Sequence, residues 1–156
     1  MLQKKRLTPE QAYQKIKHYC GYQERSHAEV REKLYSLGIW KNDIDTLISR
    51  LIEEDYLNET RFAESFVGGK FRMKQWGRVK IKYELKQKQV SEYNIKKAMK
   101  VIDEENYLKA FNKLFAEKAK SLSAEKNVPT KKRKILDYMI QKGYERDMIM
   151  NKLNEL

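Results

Sequence analysis

Apolar residues recur in this chain at a constant separation, and that recurrence limits its fold more than any other feature. A shift of 51 places Ala12 on Ala63, Ile16 on Val67, Val30 on Ile81, Leu34 on Leu85, Ile39 on Val90, Ile44 on Ile95 and Leu51 on Ile102. The same shift sets Tyr56-Leu57 on Tyr107-Leu108. Within each copy the apolar residues lie three and four positions apart, as on one face of a helix. A register held across three helices without a gap indicates internal repetition. A third copy continues at a shift of 54, where Leu85, Val90 and Ile95 meet Met139, Tyr144 and Ile149, whereas Ala63 meets Ala110 at a shift of 47. The seven residues of difference fall in Ser121 to Thr130, a loop-like stretch containing Pro129.

The chain therefore reads as all-α, a tandem array of three three-helix repeats of helix-turn-helix type. The repeats span 1–57, 58–106 and 107–156, with a loop insertion near 121–130. Few residues oppose helix, since the 156 positions include only two prolines and six glycines. A repeat of about 50 residues hides little apolar surface alone, so stacking on neighbours supplies its stability and makes the array elongated and curved. Local signals mark the helix ends. Thr8 with Pro9 opens the first helix, Ser26 with Glu29 forms a capping box, and Gly38 closes the second. Gly21 reads as the stop of the first helix, and the third begins near Asn42.

Charge is unevenly distributed along this framework. Residues 43–64 carry seven acids against two bases, a net −5, while residues 70–100 carry eleven bases against two acids, a net +9. A solvated helical face usually mixes signs, so a run this one-sided suits a polyanion or an acidic protein surface. Ten of its eleven cations and the aromatic Tyr83 form the candidate site: Lys70, Arg72, Lys74, Arg78, Lys80, Lys82, Tyr83, Lys86, Lys96, Lys97 and Lys100. On the middle helix of the second repeat, Ile81 and Leu85 mark the inward side; Lys80, Tyr83 and Lys86 point away from it, with Lys82 on the flank. Arg25 joins the set because it precedes a helix N-terminus, where a cation gains nothing from the helix dipole. Arg61 reads as structural, bonded to a nearby carbonyl or to the acids before it. Phe62 and Phe66 read as core, and Trp76-Gly77 as a packing junction between repeats.

Other chemistries find no support. His18, His27 and Cys20 do not make a zinc ligand set, and consecutive Glu53, Glu54 and Asp55 diverge in direction. There is no glycine loop of the nucleotide-binding type. The reading is a protein without catalytic apparatus, cofactor or metal. A single cysteine excludes an internal disulfide and fits a reducing compartment. Met1 to Leu7 lacks the apolar core of a signal peptide, and no run approaches the roughly 20 apolar residues of a membrane span. A cytoplasmic monomer with no membrane contact is expected.

At Arg25-Ser26, Glu29 and Leu34, and at Tyr56-Leu57, Arg61-Phe62-Ala63, Phe66, Gly77 and Glu84-Leu85, the chain resembles the RecX family of bacterial recombination regulators. The likeness covers all three repeats and is strongest from Gln23 to Ile95. Two positions depart from the family pattern: Asn58-Glu59 replaces an Asp pair, and Gln89 stands where Gly is usual. The resemblance implies a regulator that binds the RecA recombinase filament and lowers its ATPase, strand-exchange and co-protease activities. It also implies a place along the filament groove, with single- or double-stranded DNA within reach. Two other readings remain at this point. One is a non-specific DNA-binding helical protein acting without recombinase, and the other is a helical repeat for some unrelated partner. No helix has the Arg/Asn/Gln spacing for reading successive bases.

Overall fold

Gly38, Gln89 and Gly143 occupy equivalent positions in three separate turns, with φ of +80°, +61° and +97°. They were identified in a computed structural model that describes residues 6–156. Met1 to Lys5, most of the basic N-terminal stretch, lie outside the described residues. Among those described, nine α-helices follow one another and no strand occurs. They are α1 Pro9–Tyr22, α2 His27–Ser36, α3 Lys41–Glu53, α4 Glu59–Gly69, α5 Arg78–Gln87, α6 Glu92–Met99, α7 Glu104–Ser121, α8 Val128–Lys142 and α9 Arg146–Leu153. A π-helical turn, Lys70–Lys74, follows α4 directly. The fold is all-α and repetitive.

The helix starts are built by local chemistry. Thr8 and Gln11 cap each other reciprocally, as do Ser26 and Glu29. Asn58, Ser91, Asp103 and Asn127 each accept a backbone N–H three residues on, at 2.9 to 3.2 Å. Each such cap satisfies a donor that would otherwise be orphaned, for about 1 kcal/mol. Asn58 thus performs locally the capping expected of an aspartate.

Three local expectations fail. Gly21 does not stop α1, which continues to Tyr22. Gly21 lies in the last turn, one residue before the end of the helix, so the stop is displaced by a single position. Pro129 lies within the first turn of α8 rather than in a loop, where its missing N–H costs nothing. The pairing of Tyr56-Leu57 with Tyr107-Leu108 is out by one residue. Leu57 and Tyr107 are the buried members at 1% and 0% exposure, while Tyr56 and Leu108 face solvent at 37% and 43%. The reason is that α6 is 8 residues long against 13 for α3, so the chain reaches its next helix by a different path.

The fold divides into two compact units, one comprising residues up to 65 with 85–98, the other 66–84 with 99–156. In the first, α1, α2 and α3 pack on one another. Tyr13, Ile16, Val30, Leu34, Ile44 and Leu51 are fully enclosed there. The Tyr13 hydroxyl donates to Glu54, and Arg50 lies 3.7 Å from the centre of the Tyr13 ring while bonding Glu10 and Glu54. Glu59 ties the start of α4 to the start of α6. Its Oε1 accepts from Ser91 N and Asn94 Nδ2, both at 2.9 Å.

In the second unit α8 packs on α7 and on α9, around Tyr107, Ile135, Met139 and Ile149. The N-terminus of α5 meets the turn after α8. Gly77 N donates to Lys142 O at 2.8 Å, and Val79 N donates to Gly143 O at 2.9 Å. At the register position where Ser26 caps α2, Gly77 is required instead, because a Cβ there would lie 2.3 Å from the Gly143 oxygen.

Candidate partner-binding site

The π-helical turn and α5 set out the cations of the second unit. Arg72 and Lys74 are exposed, and Arg72 folds back over Gly68, where a Cβ would come within 2.8 Å of its Nη1. Lys70 is half-buried and lies 5.0 Å from the centre of the Trp76 ring, which Lys80 approaches to 4.5 Å. Trp76 also meets Phe66 edge-on, with centroids 6.4 Å apart. The indole therefore holds two ammonium groups in place, at about 0.5–1 kcal/mol each. That role was not legible from the isolated Trp-Gly pair. Lys80 is further constrained, since its stem lies against Gly143. Farther along, Lys82 is exposed and Tyr83 is 59% exposed; Lys100 is exposed just after α6.

The first unit contributes exposed Lys86, Lys96 and Lys97. Arg25 belongs to this unit and is largely used internally. Its Nε donates to the Tyr19 carbonyl at 3.0 Å, and its guanidinium lies 3.7 Å from the Tyr19 ring centre and 3.9 Å from Glu29. Arg61, read as structural, bonds Glu24, the Asp55 carboxylate and the Asp55 carbonyl.

Arg78 is placed differently from the other members of the set. It sits at the first position of α5, 3.8 Å from the centre of the buried Tyr107 ring, and bonds Glu104 and Glu145. Tyr107 accepts from Arg78 N and donates to Glu145. Burial works to lower the Arg78 pKa, but the two carboxylates outweigh it and the net shift is upward. Burial first, then the Glu145 contact, pushes the Tyr107 hydroxyl up as well. Arg78 is thus a positioning residue for α5. Its acidic partners lie 26 and 67 residues away, a distance no local reading of charge spans.

The remaining cations are unlike Arg25 and Arg78. Among the described residues, none of Lys70, Arg72, Lys74, Lys80, Lys82, Lys86, Lys96, Lys97 or Lys100 makes an ion pair within 4.0 Å. Lys88, the other base of the window, is held by Glu29 at 3.5 Å. Three of the seven acids upstream are engaged elsewhere: Asp45 with Arg31, Glu54 with Arg50 and Asp55 with Arg61. Unpaired lysines on exposed helix faces hold their charge for an external anion.

Two family models match the chain: RecX, first three-helix domain, over residues 12–51, and RecX, second three-helix domain, over 58–99. The chain belongs to the RecX family. It is 32% identical to the regulatory protein RecX of Clostridium tetani over 85% of its own length and 61% of that protein. Against the regulatory protein RecX of Bacillus cytotoxicus it is 30% identical over 94% of its length, but spans only 54% of that relative. The crystal structure of RecX from Lactobacillus salivarius superposes with a TM-score of 0.80 at 26% identity, covering 95% of this chain and 97% of that one. RecX membership accounts for the repeated three-helix pattern.

Proposed function

We propose that this RecX-family chain is a non-catalytic regulator that binds the RecA recombinase filament and lowers its activity. The observation that carries the reading is the set of unpaired cations, displayed by a chain whose relatives are named regulatory proteins. Lys82, Tyr83 and Lys100 on one unit, and Lys86, Lys96 and Lys97 on the other, meet acidic protein surface or exposed DNA phosphates of the filament. Occupying the filament groove restrains protomer cycling, which lowers ATP turnover, strand exchange and co-protease action together. Arg25 and Arg78 act indirectly, by fixing the helices that carry those cations.

Among the described residues no three His, Cys, Asp or Glu side chains gather as a metal site, and no helix is long and apolar enough to cross a membrane. Cys20 is buried, and that burial pushes its thiol up to about 11, away from nucleophilic use. A cytoplasmic location, where recombinase filaments form, completes the proposal.

The test mixes the chain with recombinase, ATP and single-stranded DNA and follows ATP hydrolysis. Falling turnover at ratios well below one chain per recombinase protomer supports the reading. Unchanged turnover with unchanged filament length overturns it. Binding to DNA alone, without an effect on recombinase, supports the non-specific DNA-binding reading instead.

A further inference from the structure

The α7–α8 hairpin continues beyond the core that it helps to form. The last buried side chain of α7 is Phe115 and the first of α8 is Ile135, so residues 116–134 contribute no buried side chain. Elsewhere among the described residues such a run reaches thirteen at most, at 68–80, where Gly68 and Gly77 are buried but carry no side chain. The helices are long for the fold, 18 and 15 residues, against 14 and 10 for α1 and α2. At 1.5 Å per residue, the hairpin projects about 10 Å past its last core contacts. Packing does not explain this extension.

Its chemistry is strongly one-sided. Residues 116–134 hold seven bases, two acids and no aromatic residue. Lys134 is paired with Glu125 at 3.4 Å, and Lys118 lies over the Tyr138 ring at 5.0 Å. Among the described residues, Lys120, Lys126, Lys131, Lys132 and Arg133 make no ion pair within 4.0 Å. The antiparallel topology gathers them at one end of the hairpin, beside a helix start that has no acid in its first turn.

We propose that this tip is a second binding site, separate from the cations of residues 70–100, for the phosphate backbone of duplex nucleic acid. Protein interfaces deplete lysine and centre on aromatic or apolar anchors. The tip's only large exposed apolar side chain is Val128. Single-stranded nucleic acid is usually held by bases stacked on aromatic rings, which the tip lacks. Lysines alone match the dense, regular charge of a duplex, and they read it without regard to sequence.

The experiment measures binding of the full chain to a fluorescent mixed-sequence duplex across a range of salt, with no recombinase present. It is therefore independent of the proposed regulation. Lys126→Gln with Arg133→Gln changes only exposed side chains, and circular dichroism verifies the fold. This pair reduces the slope of log affinity against log salt by about 2. The charge-matched control, Lys15→Gln with Lys41→Gln, leaves the slope as in the parent chain. Equal slopes for the two variants overturn the proposal, as does tighter binding of a single strand of the same length. Displacement of the duplex by an equal charge of poly-glutamate overturns it too.

Discussion

Gln89 sits in the left-handed region at φ +61°, a conformation that costs an L-residue about 1–2 kcal/mol and glycine almost nothing. The two equivalent turns use Gly38 and Gly143. Gln89→Gly relieves the strain at some cost in chain entropy, so it raises stability by about 0.5–1 kcal/mol in urea unfolding. Gly143 admits no such freedom in reverse, because a Cβ there would lie 2.2 Å from the Lys80 Cβ. The turn at 89 was marked in the sequence only as a missing glycine; its geometry is imposed by the helices on either side. Gly21 marks the end of α1 to within one residue, since Tyr22 is the last helical position.

Two helix starts show how elements are joined inside each unit. At α5, Gly77 and Arg78 replace a local cap with partners from α7 and the α8–α9 turn. Arg78→Met leaves Glu145 without its cation and lowers stability by about 1.5–3 kcal/mol, measured by denaturant unfolding. Lysine in its place restores only part, since it lacks the guanidinium fork. At α6, Glu59 accepts from Ser91 and Asn94, with His27 Nδ1 at 3.7 Å. Burial works to raise its pKa, but those hydrogen bonds prevail and the net shift is downward. Its stabilising effect is therefore complete above the ordinary value of 4.5 and is lost as pH falls through the lower folded value. Glu59→Gln flattens the rise of stability with pH in that acidic window, as followed by unfolding at pH 3 to 5. If the variant keeps the parent's slope, Glu59 is not the group responsible. The caps at Thr8 and Ser26 were legible because donor and acceptor lie within three residues. The joints at Arg78 and Glu59 were not, because their partners are 26 to 67 residues away.

Across the molecule, the repeated register was readable because burial is periodic: Val30, Ile81 and Ile135 are all fully enclosed, as are Leu34, Leu85 and Met139. The basic window was equally plain as composition. What sequence could not separate was a cation held internally from one left unpaired, and Arg78 and Lys82 differ in just that respect. The hairpin tip was hidden for a related reason, since an insertion read as a loop conceals how far two helices extend. The regulatory account depends on the unpaired lysines making contact with the filament. Lys82→Glu with Lys86→Glu, both exposed, tests that dependence through affinity for the recombinase filament on single-stranded DNA, with thermal unfolding as the control for folding. A loss of at least tenfold in affinity at unchanged unfolding temperature is the result expected, since each tenfold corresponds to about 1.4 kcal/mol. Undiminished affinity in a fully folded double variant would contradict it.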